Sequence, residues 1–179
     1  MKYNPDIHHR KSIRLKNYDY SKEGLYFITI CTHNKEALFG EINNDIIVVG
    51  AGYSCPNIEL TKIGEIIKKQ YCELGKYFDN IKCNEYIIMP NHFHCIIEIV
   101  VGGKPPPLQK NNLGNIIGYF KFQTTKKYNE LMNIKNGKYL KLWQRNYYEN
   151  IIRNNETHQK VIEYIKTNPL KWQDDKYYL

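Results

Sequence analysis

Apolar positions recur along this chain with two periods, and the period switches several times. Gly24-Leu25-Tyr26-Phe27-Ile28-Thr29-Ile30-Cys31-Thr32 is a short run of β-branched and aromatic residues, which suits a pleated, half-buried surface and predicts a first strand. The segments 38–42 and 46–49 predict a short hairpin turning at Asn43-Asn44-Asp45, followed by a loop over 50–57. The period then lengthens. Leu60, Ile63, Ile66, Ile67, Tyr71, Leu74 and Phe78 share one helical face. They predict an amphipathic helix over about 59–77, with Lys62, Lys68 and Lys69 on or near its other face. A strongly apolar strand follows at about 82–100, and Gly102-Gly103-Lys104-Pro105-Pro106-Pro107 ends it in a loop.

Leu113, Ile116, Ile117 and Phe120 open a second helix, about 112–131, with Asn112 as N-cap. Asn136-Gly137 marks a turn, and 147–153 reads as a strand. A third helix starts near Asn155-Glu156 and runs through Val161, Ile162 and Ile165. It should stop before Pro169, because a residue preceding proline is pushed out of helical geometry. Strands alternating with helices in this order fit an α+β sandwich. Its most natural form is a ferredoxin-like split βαβ fold: a central, mainly antiparallel sheet, helices on one face, and an additional C-terminal helix. Residues 1–20 are basic and aperiodic and read as an arm; 21–179 read as a single domain.

Charge adds a class of partner. Of 179 residues, 26 are Lys or Arg and 18 are Asp or Glu, a net charge of +8 accompanied by sixteen tyrosines. Basic residues interleaved with aromatics suit a polyanion whose bases can stack. A genome rich in Lys, Asn, Ile and Tyr codons would give the same composition, so charge alone leaves both open. The five cysteines are odd in number and form no Cys-x-x-Cys pair, which argues against a disulfide framework or a zinc knuckle and for a reducing cytoplasm. No apolar run is long enough to span a bilayer and no signal peptide is expected.

The sharpest chemical feature is His92-Phe93-His94 inside the apolar strand. Side chains in a strand alternate faces, so the two imidazoles project together and Phe93 goes to the other side. Two imidazoles side by side make half of a divalent-metal site; two histidines on a half-exposed face is the plainer alternative. Cys95 points with Phe93 and reads as a buried small hydrophobe. The last helix offers Tyr164 and Asn168, four residues apart on one face. A phenol can act as a nucleophile and an amide oxygen can bind a hard cation. A packed tyrosine and a helix-end cap explain the same pair. Tyr119, Tyr128, Tyr147 and Tyr148 are the rival nucleophiles. The first two lack a polar partner suited to a metal at helical spacing, and of the last two one is expected in the core.

Met89-Pro90-Asn91-His92-Phe93-His94, then Trp143-Gln144-Arg145-Asn146-Tyr147-Tyr148-Glu149-Asn150-Ile151-Ile152-Arg153, then Tyr164-Ile165-Lys166-Thr167-Asn168-Pro169 resemble the REP-associated tyrosine transposases, IS200-like single-tyrosine enzymes of the HUH nuclease superfamily. Arg14-Leu15-Lys16-Asn17-Tyr18-Asp19-Tyr20 followed by Tyr26-Phe27-Ile28-Thr29-Ile30-Cys31-Thr32 also looks like that family, so the resemblance spans nearly the whole chain in order. It implies a ferredoxin-like core and cleavage of single-stranded DNA bearing a hairpin or palindrome. It implies His92 and His94 as metal ligands, Tyr164 as nucleophile forming a 5′-phosphotyrosine, and Mg²⁺ or Mn²⁺ as cofactor. Asn168 takes the place of a polar residue, often glutamine, that completes the metal site in related transposases; asparagine is one methylene shorter. It also implies a prokaryotic, nucleoid-associated protein, monomer or homodimer. DNA contacts are expected from Arg10, Lys11, Arg14 and Lys16 on the arm, Lys121, Lys126 and Lys127 on the second helix, and Arg145 and Arg153 beside the last strand. Tyr18, Tyr20 or Trp143 could stack a base, although Trp143 also reads as core. A catalytically silent DNA- or RNA-binding module on the same fold, and a hydrolase using activated water, remain the alternatives.

Overall fold

A computed structural model of the chain describes residues 14–49, 53–100, 112–134 and 139–178, with backbone alone for 44–49 and 53–57. Among these residues, six strands and three α-helices follow in chain order. They are β1 (Gly24–Cys31), β2 (Gly40–Val49), β3 (Tyr53–Leu60), α1 (Lys62–Cys72), β4 (Ile81–Met89), β5 (His92–Ile99), α2 (Leu113–Leu131), β6 (Tyr148–Ile152) and α3 (Asn155–Thr167). The main sheet has the order β4-β5-β1-β6 and every neighbouring pair is antiparallel. β1 and β4 therefore run parallel with β5 between them, which is the split βαβ arrangement that the element order predicts. β2 and β3 form a separate two-stranded sheet.

The helices begin where side chains can satisfy their first free N–H groups. Thr61 Oγ1 accepts from Gly64 N–H, Asn112 Oδ1 from Asn115 N–H and Asn154 Oδ1 from Thr157 N–H. Asn112 caps α2 as expected. α3 ends at Thr167, ahead of Pro169. α1 begins three residues later than its periodicity suggests, because Leu60 and Glu59 are held in β3 opposite Gly40 and Glu41. Gly64 lets α1 sit close: a Cβ there would lie 2.1 Å from the Phe39 carbonyl oxygen.

Two strand boundaries differ from the sequence reading. The single strand expected over 82–100 is a hairpin, with Met89 opposite His92 and the chain reversing at Pro90-Asn91. Apolar residues on both sides of a two-residue turn read as one run, which is why the pattern hid it. The hairpin turn expected at 43–45 is a bulge within β2, and the loop expected over 50–57 includes the first half of β3. Residues 50–52, where β2 gives way to β3, lie outside the described residues.

Alternation sorts the main sheet into two faces. Tyr26, Ile28, Ile30, Phe93, Cys95 and Ile97 point to one face and pack against Ile67, Tyr71, Ile116, Ile117 and Phe120 of α1 and α2. Phe93 lies between Tyr71 and Phe120, with ring centroids 5.2 and 5.5 Å away. The opposite face carries Leu25, Phe27, Ile96 and Ile152, covered by Val161, Ile162 and Ile165 of α3. The additional C-terminal helix thus covers the face that α1 and α2 leave open. Trp143 belongs to the core, its Nε1 donating to Thr124 Oγ1 at 2.8 Å beside Phe39 and Phe120. No helix among the described residues is long and apolar enough to cross a membrane.

Phe93 anchors the core and Tyr164 does not. Phe93→Ala should lower the unfolding free energy by about 3–5 kcal/mol, whereas Tyr164→Phe should shift it by less than about 1 kcal/mol. Urea denaturation of both variants checks this.

Candidate active site

The α3-covered face of β5 presents His92 and His94 together, with exposures of 0% and 1% and ring centroids 4.5 Å apart. Each ring is held by its Nδ1. Asn91 Nδ2 donates to the carbonyl oxygens of Tyr177 (2.7 Å) and Lys35 (3.2 Å), which turns Asn91 Oδ1 toward His92 Nδ1 at 2.9 Å. His92 Nδ1–H is therefore the donor, and its Nε2 keeps a lone pair that is buried and meets no protein partner. His94 Nδ1 lies 2.8 Å from Thr29 Oγ1, and the Tyr164 hydroxyl faces His94 Nε2 at 3.4 Å. If Tyr164 donates to Nε2, Nδ1 carries the hydrogen and donates to Thr29.

Electrostatics keep both rings neutral. Burial pushes the His92 pKa down to about 3, and the Lys176 ammonium adds to the effect. Burial also drives His94 well below its ordinary value, helped by His92 and opposed by the Asp175 carboxylate. A neutral imidazole with its Nδ1–H tied off is the form that ligates a metal through Nε2.

α3 brings Tyr164 to this face because Val161, Ile162 and Ile165 seat the helix on the sheet. The Tyr164 ring meets His94 edge-on at 5.3 Å and Phe27 at 5.9 Å, and 37% of the residue remains exposed in an open cleft of about 500 Å³. Burial pushes its phenol up to about 12, with the Asp175 charge adding to the rise and the Asn168 amide opposing it. Asn168, one turn on, is buried. Its Nδ2 donates to Asp175 Oδ2 at 3.1 Å, and its Oδ1 is buried without a protein partner. From Asn168 a 3₁₀ segment, Asn168–Asp174, carries the chain over the histidines, so that Trp172 and Tyr177 lie 5.9 and 4.7 Å from the His92 ring.

Asp175 was not among the residues singled out from sequence. Among the described residues, His92, His94 and Asp175 form a group whose ligand atoms all lie within 4.8 Å of one another. Two neutral imidazole nitrogens, a carboxylate and a buried amide oxygen without a partner are a donor set that fits a divalent cation. An acidic residue in the aromatic stretch Trp172-Gln173-Asp174-Asp175-Lys176-Tyr177-Tyr178 was the available signal, but nothing in its spacing connects it to β5.

The basic residues divide into groups. Arg14 forms an ion pair with Glu149 and stacks 3.5 Å above the Tyr147 ring, while Tyr20 donates to the same carboxylate at 2.6 Å. Arg14, Lys16 and Arg153 line a second open cleft of about 670 Å³, which shares Asn150 and Thr157 with the Tyr164 cleft. Lys121 faces inward. Its ammonium donates to the carbonyl oxygens of Gln144 (2.5 Å), Arg145 (3.0 Å) and Asn146 (3.4 Å), and burial lowers its pKa to about 8. Lys121 thereby holds the loop that bears the exposed Arg145, a role that helical periodicity cannot distinguish from an outward-facing lysine. Lys126 and Lys127 lie on α2, across the sheet from Tyr164. Arg10 and Lys11 lie outside the described residues. Lys160, Lys171 and Lys176, not weighed from sequence, line the Tyr164 cleft. Of the rival tyrosines, Tyr147 is buried under Arg14 and Tyr148 is exposed.

Residues 57–168 match a family model described as "Transposase IS200 like". An uncharacterized protein of Haemophilus influenzae is 40% identical over 192 residues, covering 99% of this chain and 98% of its own length. Among solved structures, a REP-associated tyrosine transposase bound to a REP hairpin is similar in fold, with a TM-score of 0.55 and 18% identity over 91% of this chain and 76% of that one.

Neutral burial of His92 has a pH signature. An unfolded histidine takes up a proton near 6.5, whereas His92 resists it down to about 3. Between these values the unfolded state binds more protons, so the metal-free protein should lose stability as pH falls, by roughly 1.4 kcal/mol per pH unit for this residue. Urea denaturation in EDTA from pH 7 to pH 4 should show that loss, with a shallower slope in His92→Gln. An equal slope in both would contradict the assignment.

Proposed function

The chain belongs to the IS200-like transposase family, and from that premise we propose that it is a metal-dependent single-stranded DNA endonuclease and strand-transferase acting through Tyr164. The observation that carries this reading is the approach of the Tyr164 hydroxyl to His94 Nε2 at 3.4 Å, beside the unpartnered His92 Nε2. A half-exposed phenol, two preformed nitrogen donors and a lysine-lined cleft on one face are the parts that phosphodiester transfer needs.

His92, His94 and an oxygen of the Asn168–Asp175 pair would hold the cation, Mg²⁺ or Mn²⁺, which supplies Lewis-acid stabilisation of the charge developing on the scissile phosphate. Tyr164 Oη attacks phosphorus in line. The Oη–P bond forms, the P–O3′ bond breaks, and the products are a 5′-phosphotyrosine and a free 3′-hydroxyl. The phosphodiester's energy is retained, so attack by another 3′-hydroxyl reverses the step and joins strands without a nucleotide cofactor. Because the phenol is pushed up to about 12, phenolate is scarce at neutral pH and proton removal must accompany attack. His94 Nε2 has one lone pair, which serves either the Tyr164 proton or a metal. When it serves a metal, the proton must leave by another route.

Lys160, Lys171 and Lys176 bring positive charge to the cleft in which the phosphate would lie. Asn150 and Thr157 join that cleft to the one lined by Lys16 and Arg153, a continuous path for a single strand. Arg14 anchors the arm at Glu149 along this path, and Arg10 and Lys11 of the same arm would add phosphate contacts. Arg145, Lys126 and Lys127 would meet the duplex part of a hairpin. The hairpin carried by the similar solved structure supports that class of substrate.

A labelled hairpin oligonucleotide with a single-stranded flank, incubated with the protein and Mn²⁺, should give a covalent adduct on a denaturing gel. Tyr164→Phe should give none. An adduct that persists in Tyr164→Phe would overturn the choice of nucleophile, and cleavage without an adduct would favour a water-using hydrolase.

A further inference from the structure

We propose that Asp175 supplies the third protein ligand of this centre and that Asn168 is the positioning residue that holds it. This inference rests on the metal-dependent reading above. The matched family stretch ends at Asn168, so the carboxylate comes from a segment outside it. Asp175 is fixed from both oxygens: Oδ1 accepts Tyr177 N–H at 2.7 Å and Oδ2 accepts Asn168 Nδ2–H at 3.1 Å. Each oxygen keeps a further lone pair, and the carboxylate lies within 4.8 Å of the histidine ligand atoms.

Tyr177 links the two sides of the site. Its N–H orients Asp175, its carbonyl oxygen accepts from Asn91, and Asn91 in turn fixes the tautomer of His92. One continuous chain of hydrogen bonds, His92–Asn91–Tyr177–Asp175–Asn168, therefore presets donors from β5 and from the C-terminal segment. The charge balance points the same way. Two neutral imidazoles and a neutral amide would leave a full double positive charge in a buried pocket beside Lys176; a carboxylate offsets half of it. The Asn168 amide then takes the part of a hydrogen-bonded partner behind a ligand, whose loss weakens binding without abolishing it.

The test is a titration of the metal-free full-length protein with Mn²⁺, following free Mn²⁺ by electron paramagnetic resonance. Thermal unfolding in EDTA confirms that each variant folds. Asn168→Ala should weaken binding by about 10-fold, within the range for loss of a partner behind a ligand, and Asp175→Asn, which removes a charged ligand itself, by roughly 100-fold or more, at or beyond the top of that range. Asp175→Glu should recover part of the affinity. The double variant Asn168→Ala/Asp175→Asn should be no weaker than Asp175→Asn alone, because Asn168 acts through the carboxylate. Unchanged affinity in Asp175→Asn, together with near-complete loss in Asn168→Ala, would overturn the assignment and make the amide oxygen the ligand. That result would leave the covalent adduct on Tyr164 intact and so would not touch the transposase reading. No Mn²⁺ binding by the unsubstituted protein would overturn the metal centre itself and Asp175 with it.

Discussion

Two imidazoles buried in the neutral form are the constraint around which this molecule is arranged. A strand can present His92 and His94 side by side at no conformational cost, but a sheet face that buries them must satisfy four ring nitrogens. The protein satisfies three. Asn91 and Thr29 take the Nδ1 atoms, and the hydroxyl of Tyr164 approaches one Nε2. His92 Nε2 is left buried without a protein partner. An orphaned lone pair beside a carboxylate and a phenol is a costly arrangement for stability alone and a useful one for binding a cation.

The burial is achieved from the C-terminal side. α3 docks through Ile165, Val161 and Ile162, and the 3₁₀ segment after it lays Trp172 and Tyr177 over the rings. Tyr164 reaches the site from α3, and Asn168 from the cap at its C-terminal end. The core on the other side of the sheet, built on Phe93 between Tyr71 and Phe120, fixes the strand whose alternation aims the histidines. One residue step along β5 separates packing from chemistry.

Much of this was legible in the chain, and the unread parts share a cause. Alternation placed His92 and His94 on one face and Phe93 on the other; helical spacing put Tyr164 and Asn168 together; Pro169 ended α3. Each is a local rule in which the pattern repeats within one element. Asp175 was missed because its relation to His92 exists only after the chain folds back across the sheet, and neither spacing nor composition records that return. The sequence groups Lys121 with the DNA-contacting lysines of α2 because helical periodicity does not see the carbonyl oxygens of Gln144, Arg145 and Asn146 arriving from another segment. The Pro90-Asn91 reversal was hidden for a local reason: a two-residue turn between apolar flanks leaves the apolar run looking continuous.

The paired imidazole nitrogens of β5 are proposed to form a ready-made metal centre beside Tyr164. Pulsed electron paramagnetic resonance of the Mn²⁺-loaded protein tests it most directly, because a bound imidazole nitrogen modulates the electron spin echo. The expected signal comes from two histidine nitrogens and falls to one in His92→Gln and in His94→Gln. Mn²⁺ bound with no nitrogen modulation, or with modulation unchanged in both variants, would contradict it.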